Sequence, residues 1–319
     1  MVSPILEIKE LNKHFSISKN WFKKKGYVYA LNGINLSVYE GETLGVVGES
    51  GCGKSTLGRC IIRLLKPSNG EIYFQGKDIN KYNKQEMKKV RKEMQMVFQN
   101  PYDTLNPKLT IRMILSEPLI AHSISKEKRT KLIEDTIEIV GLKKEHLDRH
   151  PHEFSGGQRQ RIGIARALML RPKLIVADEA VSALDVSIQA QILNLFKDLQ
   201  EQFELTYIFI SHDLSVVEHI SDRVVVMYLG EIVELAKKEL LYERPLHPYS
   251  QSLLSAIPNP DPTENRERIK LTGDLPSPSN PPKGCKFHPR CHARMEICEK
   301  VQPELKELDG RLVACHLYQ

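Results

Sequence analysis

The chain has 319 residues, 41% hydrophobic and 27% charged, with a net charge of +6 and six cysteines. These values exclude a disordered, collagen-like or small disulfide-stapled chain, and the length supports about two domains. No apolar run reaches the roughly 18 residues of a membrane span, and residues 1–7 lack the basic and apolar regions of a secretory signal.

Residues 5–15 and 27–38 alternate apolar and polar positions and predict antiparallel strands. Between them, Trp21, Phe22, Lys23, Lys24, Lys25 and Gly26 form a basic aromatic loop. Residues 43–47 are a short apolar strand. It runs into Gly48-Glu49-Ser50-Gly51-Cys52-Gly53-Lys54-Ser55-Thr56, and a helix is expected over 56–65. The pattern G-x-x-x-x-G-K-S between strand and helix is a phosphate-binding loop. Its N–H groups wrap a β-phosphate, Lys54 meets the β- and γ-phosphates, and Ser55 offers a hydroxyl to Mg²⁺.

Strands follow at 71–75 and 94–98, and the pattern is helical from 101 to 171, with Leu132, Ile133, Thr136, Ile137 and Val140 at helical spacing. Phe154-Ser155-Gly156-Gly157-Gln158 opens a helix expected over 155–170, with Ser155 as its cap. The paired glycines expose N–H groups at the positive helix end, which suits an anion. Residues 174–177 are apolar on both faces, as in a parallel sheet, and end in Asp178-Glu179. Asp178 is placed to hold Mg²⁺ through water, and Glu179 to orient and deprotonate an attacking water.

An amphipathic helix carries Ile188, Ile192, Leu195, Phe196 and Leu199, a strand is expected at 207–210, and a hairpin is expected around Leu229-Gly230. Residues 257–283 are proline-rich and predict an extended strap. Cys285, Cys291, Cys298 and Cys315 follow with C-x5-C-x6-C-x16-C spacing. Four clustered thiols suit Zn²⁺ or an iron–sulfur cluster, with His288, His292 and His316 as alternative ligands.

The phosphate loop, the Ser155–Gln158 stretch and Asp178-Glu179, in that order, resemble the ATPase of ATP-binding cassette transporters over about residues 5–250. The resemblance implies an α/β fold: a P-loop NTPase (RecA-like) core, an N-terminal antiparallel β subdomain, an inserted α-helical subdomain and a small C-terminal metal-cluster extension. The expected domains are 1–255, with the helical subdomain at about 101–170, and 256–319. The resemblance assigns ATP contacts to Phe15, Gly48, Ser50, Gly51, Gly53, Lys54, Ser55, Thr56, Ser155, Gly156, Gly157 and Gln158. It assigns Mg²⁺ contacts to Ser55, Gln99 and Asp178, and catalysis to Glu179, His212 and Gln99. Ser182-Ala183-Leu184-Asp185 resembles the loop that follows the catalytic glutamate. Tyr29 is the alternative to Phe15 for stacking on adenine. Two ATPs are expected to be sandwiched in a head-to-tail dimer. Phe154 stands where leucine is usual, and Cys52 lies inside the phosphate loop.

Arg244-Pro245-Leu246-His247-Pro248-Tyr249, residues 284–291 and residues 313–316 resemble the C-terminal extension of dipeptide and oligopeptide importer ATPases. That resemblance implies a [4Fe–4S] cluster on the four cysteines, with Zn²⁺ as the alternative. It also implies peptide import through separate permease subunits, at the cytoplasmic face of the membrane. The second ATPase subunit is expected to be different in the complex, with a homodimer as the isolated form, and no nucleic acid is expected as a partner. The alternatives are nickel or metal-chelate import, and an ATP-binding cassette protein of translation or DNA repair.

Overall fold

A computed structural model describes residues 3–17, 26–100, 104–257 and 269–319. The basic loop at 21–25, residues 101–103 and the stretch 258–268 of the proline-rich strap lie outside the described residues. In chain order the strands are β1 (Leu6–Ile17), β2 (Gly26–Val38), β3 (Thr43–Val47), β4 (Asn69–Phe74), β5 (Lys77–Asp78), β6 (Met94–Val97), β7 (Leu174–Asp178), β8 (Thr206–Ile210), β9 (Arg223–Tyr228), β10 (Glu231–Lys237), β11 (Lys306–Leu308) and β12 (Arg311–Val313). The chain divides into two units, residues 1–80 with 211–319 and residues 81–210.

In the first unit, β2-β1-β4-β5 form an antiparallel sheet. Part of the alternation expected from the sequence is kept: Leu6 and Ile8 are buried on either side of half-buried Glu7, and a register shift between Ile8 and Leu11 buries Leu11 as well. A second set of strands runs in the order β11-β12-β10-β9-β3. β3 is parallel to β9, with Val47 level with Val226, and all of its residues are buried. β9 and β10 form the hairpin expected around Leu229-Gly230.

The helix after the phosphate loop runs over Lys54–Ile61 rather than 56–65. It ends early because Arg63 turns into the left-handed region at φ +55°, and Leu64 is left 51% exposed. The last part of the chain has little core of its own. Phe287, 1% exposed, packs its ring against Tyr228 at 5.2 Å and Tyr249 at 5.3 Å, so the segment borrows the core of the first unit.

In the second unit β8-β7-β6 are parallel, with Val97 level with Ala177 and Asp178 level with Ile210. β7 and β8 are buried on both faces, as their unbroken apolar runs require. Around them lie the helices Lys84–Glu93, Ile111–Ala121, Lys126–Ile139, Gly156–Leu168 and Val186–Phe203. Ile133, Thr136 and Ile137 form the buried stripe of Lys126–Ile139. The fold is mixed α/β. No described helix is long and apolar enough to cross a membrane.

Candidate functional site

In the first unit β3 delivers the chain into a tight loop. Gly48 adopts φ +149° and Gly53 φ +107°. A Cβ at Gly48 would lie 2.3 Å from the Met227 carbonyl oxygen, and one at Gly53 would lie 2.4 Å from that of Ala30. Glycine is therefore required at both positions by conformation and by space. The loop closes on itself through Lys54, whose Nζ donates to the carbonyls of Gly48 at 2.7 Å and Glu49 at 3.2 Å. Lys54 is 4% exposed and is the first residue of its helix. Gly53 offers that helix no side-chain cap, which suits an N-terminus whose N–H groups serve an anion. Gly51 and Gly53 share this loop with the half-buried Ser55 and Thr56.

Cys52 is fully buried, with burial pushing its thiol up, so it packs inward as a neutral group. Two groups outside the motif also hold the loop. Tyr249 Oη accepts the Glu49 N–H at 2.8 Å, and Arg290 pairs with the Glu49 carboxylate at 2.6 Å. No sequence pattern links Glu49 to Arg290, which lies 241 residues away. The only local signal is a pair of opposite charges, Glu49 within the phosphate loop and Arg290 within residues 284–291.

Phe15 is 38% exposed on β1, with Lys13 Nζ 5.0 Å from its ring centre. Tyr29 stands edge-on to His14 at 4.7 Å. His212 is exposed on the loop before the helix Leu214–Ile220, which Asp213 caps through the N–H groups of Ser215 and Val216.

In the second unit β6 and β7 end level with each other, and this brings Gln99 and Glu179 together. Gln99 Nε2 donates to Glu179 Oε2 at 2.7 Å. Asp178, 3% exposed, is the last residue of β7. Glu179 turns into the left-handed region at φ +49°. It is pinned there by its N–H to Ile210 O at 2.9 Å and by the Ser182 hydroxyl on its carbonyl at 3.0 Å. A non-glycine residue in that region stores about 1–3 kcal/mol of strain and persists where surroundings over-determine it.

Ser155 caps the helix Gly156–Leu168 in a reciprocal box with Gln158: Ser155 Oγ accepts the Gln158 N–H at 3.3 Å, and Gln158 Oε1 accepts the Ser155 N–H at 3.0 Å. Phe154 is buried edge-on to His146 at 5.5 Å. A Cβ on Gly157 would lie 2.5 Å from Ile188 Cγ2, so this glycine lets two helices approach. Asp185 caps the helix Val186–Phe203, and hydrogen bonds from the Ile188 N–H and the Ser187 hydroxyl hold its carboxyl below the usual range.

The four C-terminal cysteines are all free. Among the described residues no group of three or more His, Cys, Asp or Glu side chains is placed to hold a metal ion. The expected metal-cluster extension is thus not shown by the described residues. Burial pushes the Cys285 thiol up to about 12 and that of Cys315 to about 11. The thiols do act on one another: Cys298, Cys315 and Cys291 each raise Cys285 further.

A family model described as ABC transporter matches residues 31–182, and one described as Oligopeptide/dipeptide transporter, C-terminal region, matches residues 233–298. The chain is 56% identical to the Oligopeptide transport ATP-binding protein AppF of Bacillus subtilis, over 98% of this chain and 97% of that protein. It belongs to the ATP-binding proteins of the ABC transporter family. This ABC protein is also 54% identical to the Dipeptide transport ATP-binding protein DppF of Escherichia coli, over 98% of its own length and 94% of the relative's. Among solved structures it resembles cbiO1 from Clostridium perfringens, part of the ABC transporter complex cbiONQ, with a TM-score of 0.66 and 28% identity over 76% of this chain and 92% of that one. It also resembles the ATP-binding cassette MJ0796 in a dimeric post-hydrolysis state bound to ADP and Pi, with a TM-score of 0.64 and 31% identity over 73% of this chain and 98% of that one.

Proposed function

We propose that the chain is the ATP-hydrolysing subunit of an ABC importer that energises uptake of dipeptides or oligopeptides through separate permease subunits. The observation that carries this reading is the 54–56% identity, over 98% of the chain, to oligopeptide and dipeptide transport ATP-binding proteins, with a phosphate loop whose lysine is buried and oriented. The names of those relatives favour peptides over nickel or a metal chelate, and a transport ATPase over one of translation or DNA repair. The protein works at the cytoplasmic face of the membrane, docked on its permease. The dimeric MJ0796 structure supports pairing with a second ATPase subunit; in this reading that subunit is a different one in the complex and a second copy in isolation. The cassette spans 1–255, with its helical part at about 101–170, and the extension spans 256–319.

Gly48, Ser50, Gly51, Gly53, Lys54, Ser55 and Thr56 bind the phosphates. Phe15 stacks on adenine, with Tyr29 as the alternative. Ser55, Gln99 and Asp178 hold Mg²⁺, which neutralises charge on the phosphates when bound. Glu179 takes the proton of the attacking water, and its pinned backbone fixes where that carboxylate points. Gln99 orients Glu179, and His212 meets the γ-phosphate. Ser155, Gly156, Gly157 and Gln158 serve the nucleotide of the partner subunit, an assignment supported by their placement at a helix N-terminus, the positive end of its dipole. The purified chain tests the reading: MgATP hydrolysis should be present and should disappear in Lys54→Ala.

For the cysteines we infer a [4Fe–4S] cluster, with Zn²⁺ as the alternative. Its support is the C-x5-C-x6-C-x16-C spacing of Cys285, Cys291, Cys298 and Cys315. It requires the thiols to draw together and lose their protons.

A further inference from the structure

The entry to the phosphate loop is gripped from the far end of the chain. Arg290 Nη1 and Nη2 donate to the two carboxylate oxygens of Glu49, at 2.6 and 3.0 Å. The pair is a bidentate fork on a side chain that is only 6% exposed at the arginine and 27% at the glutamate. Tyr249 fixes the same residue by its backbone, accepting the Glu49 N–H at 2.8 Å, and is itself fully buried against Tyr228 and Phe287. Arg290 closes the turn His288–Arg290, its N–H bonded to Phe287 O at 3.0 Å. The same glutamate's carbonyl accepts from Lys54 Nζ and from the Cys52 N–H, both at 3.2 Å. One residue thus links the C-terminal segment to the lysine of the phosphate loop.

Glu49 is a paradox in a loop built for a polyanion. An uncompensated carboxylate in a loop that receives a triphosphate weakens its binding by roughly tenfold. The fork removes that repulsion and fixes the first turn of the loop together. Resting on the reading that Gly48, Ser50, Gly51, Gly53, Lys54, Ser55 and Thr56 bind ATP, we propose that Arg290 is a positioning residue for the phosphate loop. It neutralises and orients Glu49, so the C-terminal segment sets the affinity for nucleoside triphosphate. This makes the segment part of the nucleotide machinery.

The test is a double-mutant cycle in the full-length chain, reading MgATP Kd by calorimetry together with KM and kcat of hydrolysis. Arg290→Gln should raise Kd and KM about tenfold with kcat changed less than about twofold, because the effect is on binding. Glu49→Gln should bind ATP at least as well as the native chain. Glu49→Gln combined with Arg290→Gln should return KM to within about threefold of native, since no charge is left to neutralise. Arg290→Lys, which keeps the charge without the fork, should fall between native and Arg290→Gln. A double variant as weak as Arg290→Gln, or Arg290→Gln with native Kd, overturns the proposal. If Arg290→Gln does not fold, Arg290→Lys and the double variant decide: Arg290→Lys weaker than native with the double within about threefold of native supports the fork, and Arg290→Lys at native affinity or a double about tenfold weaker overturns it. Lys54→Ala separates this proposal from the reading beneath it. Native ATP affinity in Lys54→Ala sinks the phosphate-loop reading itself. Lost affinity there, with native affinity in Arg290→Gln, sinks only the role of Arg290.

Discussion

Gln99 and Glu179 share a hydrogen bond of 2.7 Å across the ends of two parallel strands, β6 and β7. The register of those strands fixes the pairing, and the left-handed backbone at Glu179 aims the carboxylate at the amide. Gln99 can therefore orient the group proposed as the general base. Glu179→Gln keeps the shape and the acceptor but cannot take a proton. Turnover of MgATP should fall by roughly 10²–10⁴-fold with ATP binding retained. Steady-state hydrolysis and equilibrium binding of the same preparation check this, and native turnover would remove Glu179 from the chemistry.

Gly157 supplies a second expectation, one of packing. A methyl group there meets Ile188 at 2.5 Å, in the helix that follows Asp185. Gly157→Ala should destabilise the chain by about 1–3 kcal/mol, the scale of overpacking. Urea unfolding monitored by circular dichroism measures it. An unchanged midpoint would show that the helices part without strain.

His247 gives the chain a sensitivity to acid. It is 1% exposed, and burial pushes its imidazole down to about 3. Its Nδ1 accepts the Tyr249 N–H at 3.0 Å and so caps the helix Pro248–Leu254, which requires the neutral ring. Unfolded histidine binds a proton near pH 6.5 while the folded one does not. The stability contributed is thus complete above about pH 6.5 and is lost as pH falls toward 3, by up to about 1.4 kcal/mol per unit. His247→Asn keeps an acceptor but has no such proton to gain. Unfolding free energies at pH 7.5 and 5.5 should converge in that variant relative to native, and parallel pH slopes would contradict the assignment.

The cysteine segment gives a compositional outcome. Protein purified without oxygen should contain iron and sulfide and absorb broadly in the visible. Cys298→Ser should lose both while the ATPase core stays folded. One zinc per chain in colourless protein would select the alternative, and a metal-free native protein would remove the centre.

The phosphate loop, the Ser155 cap, the Asp178–Glu179 strand end and the hairpin at Leu229-Gly230 were legible because each is a local pattern. Glycine spacing, a capping residue, an unbroken apolar run and a turn pair each act within a few residues. The early end of the helix at Ile61 was less visible, since the apolar stripe runs on through Leu64 and Leu65 while Arg63 turns left-handed. Arg290 and Glu49 were not legible at all, because no periodicity reports a pair formed by tertiary packing. The cysteine spacing indicated proximity, which the mutual influence of the thiols reflects, but spacing carries no information about whether side chains converge on a point.

The central claim is that ATP hydrolysis by this chain drives peptide entry, and uptake in living cells tests it most directly. Cells whose own copy carries Glu179→Gln should accumulate a labelled dipeptide or oligopeptide at the rate of cells lacking the protein. Restoring the native chain should restore uptake. Uptake at the native rate with Glu179→Gln, in cells where the variant is shown to be present and inactive in hydrolysis, would contradict the account.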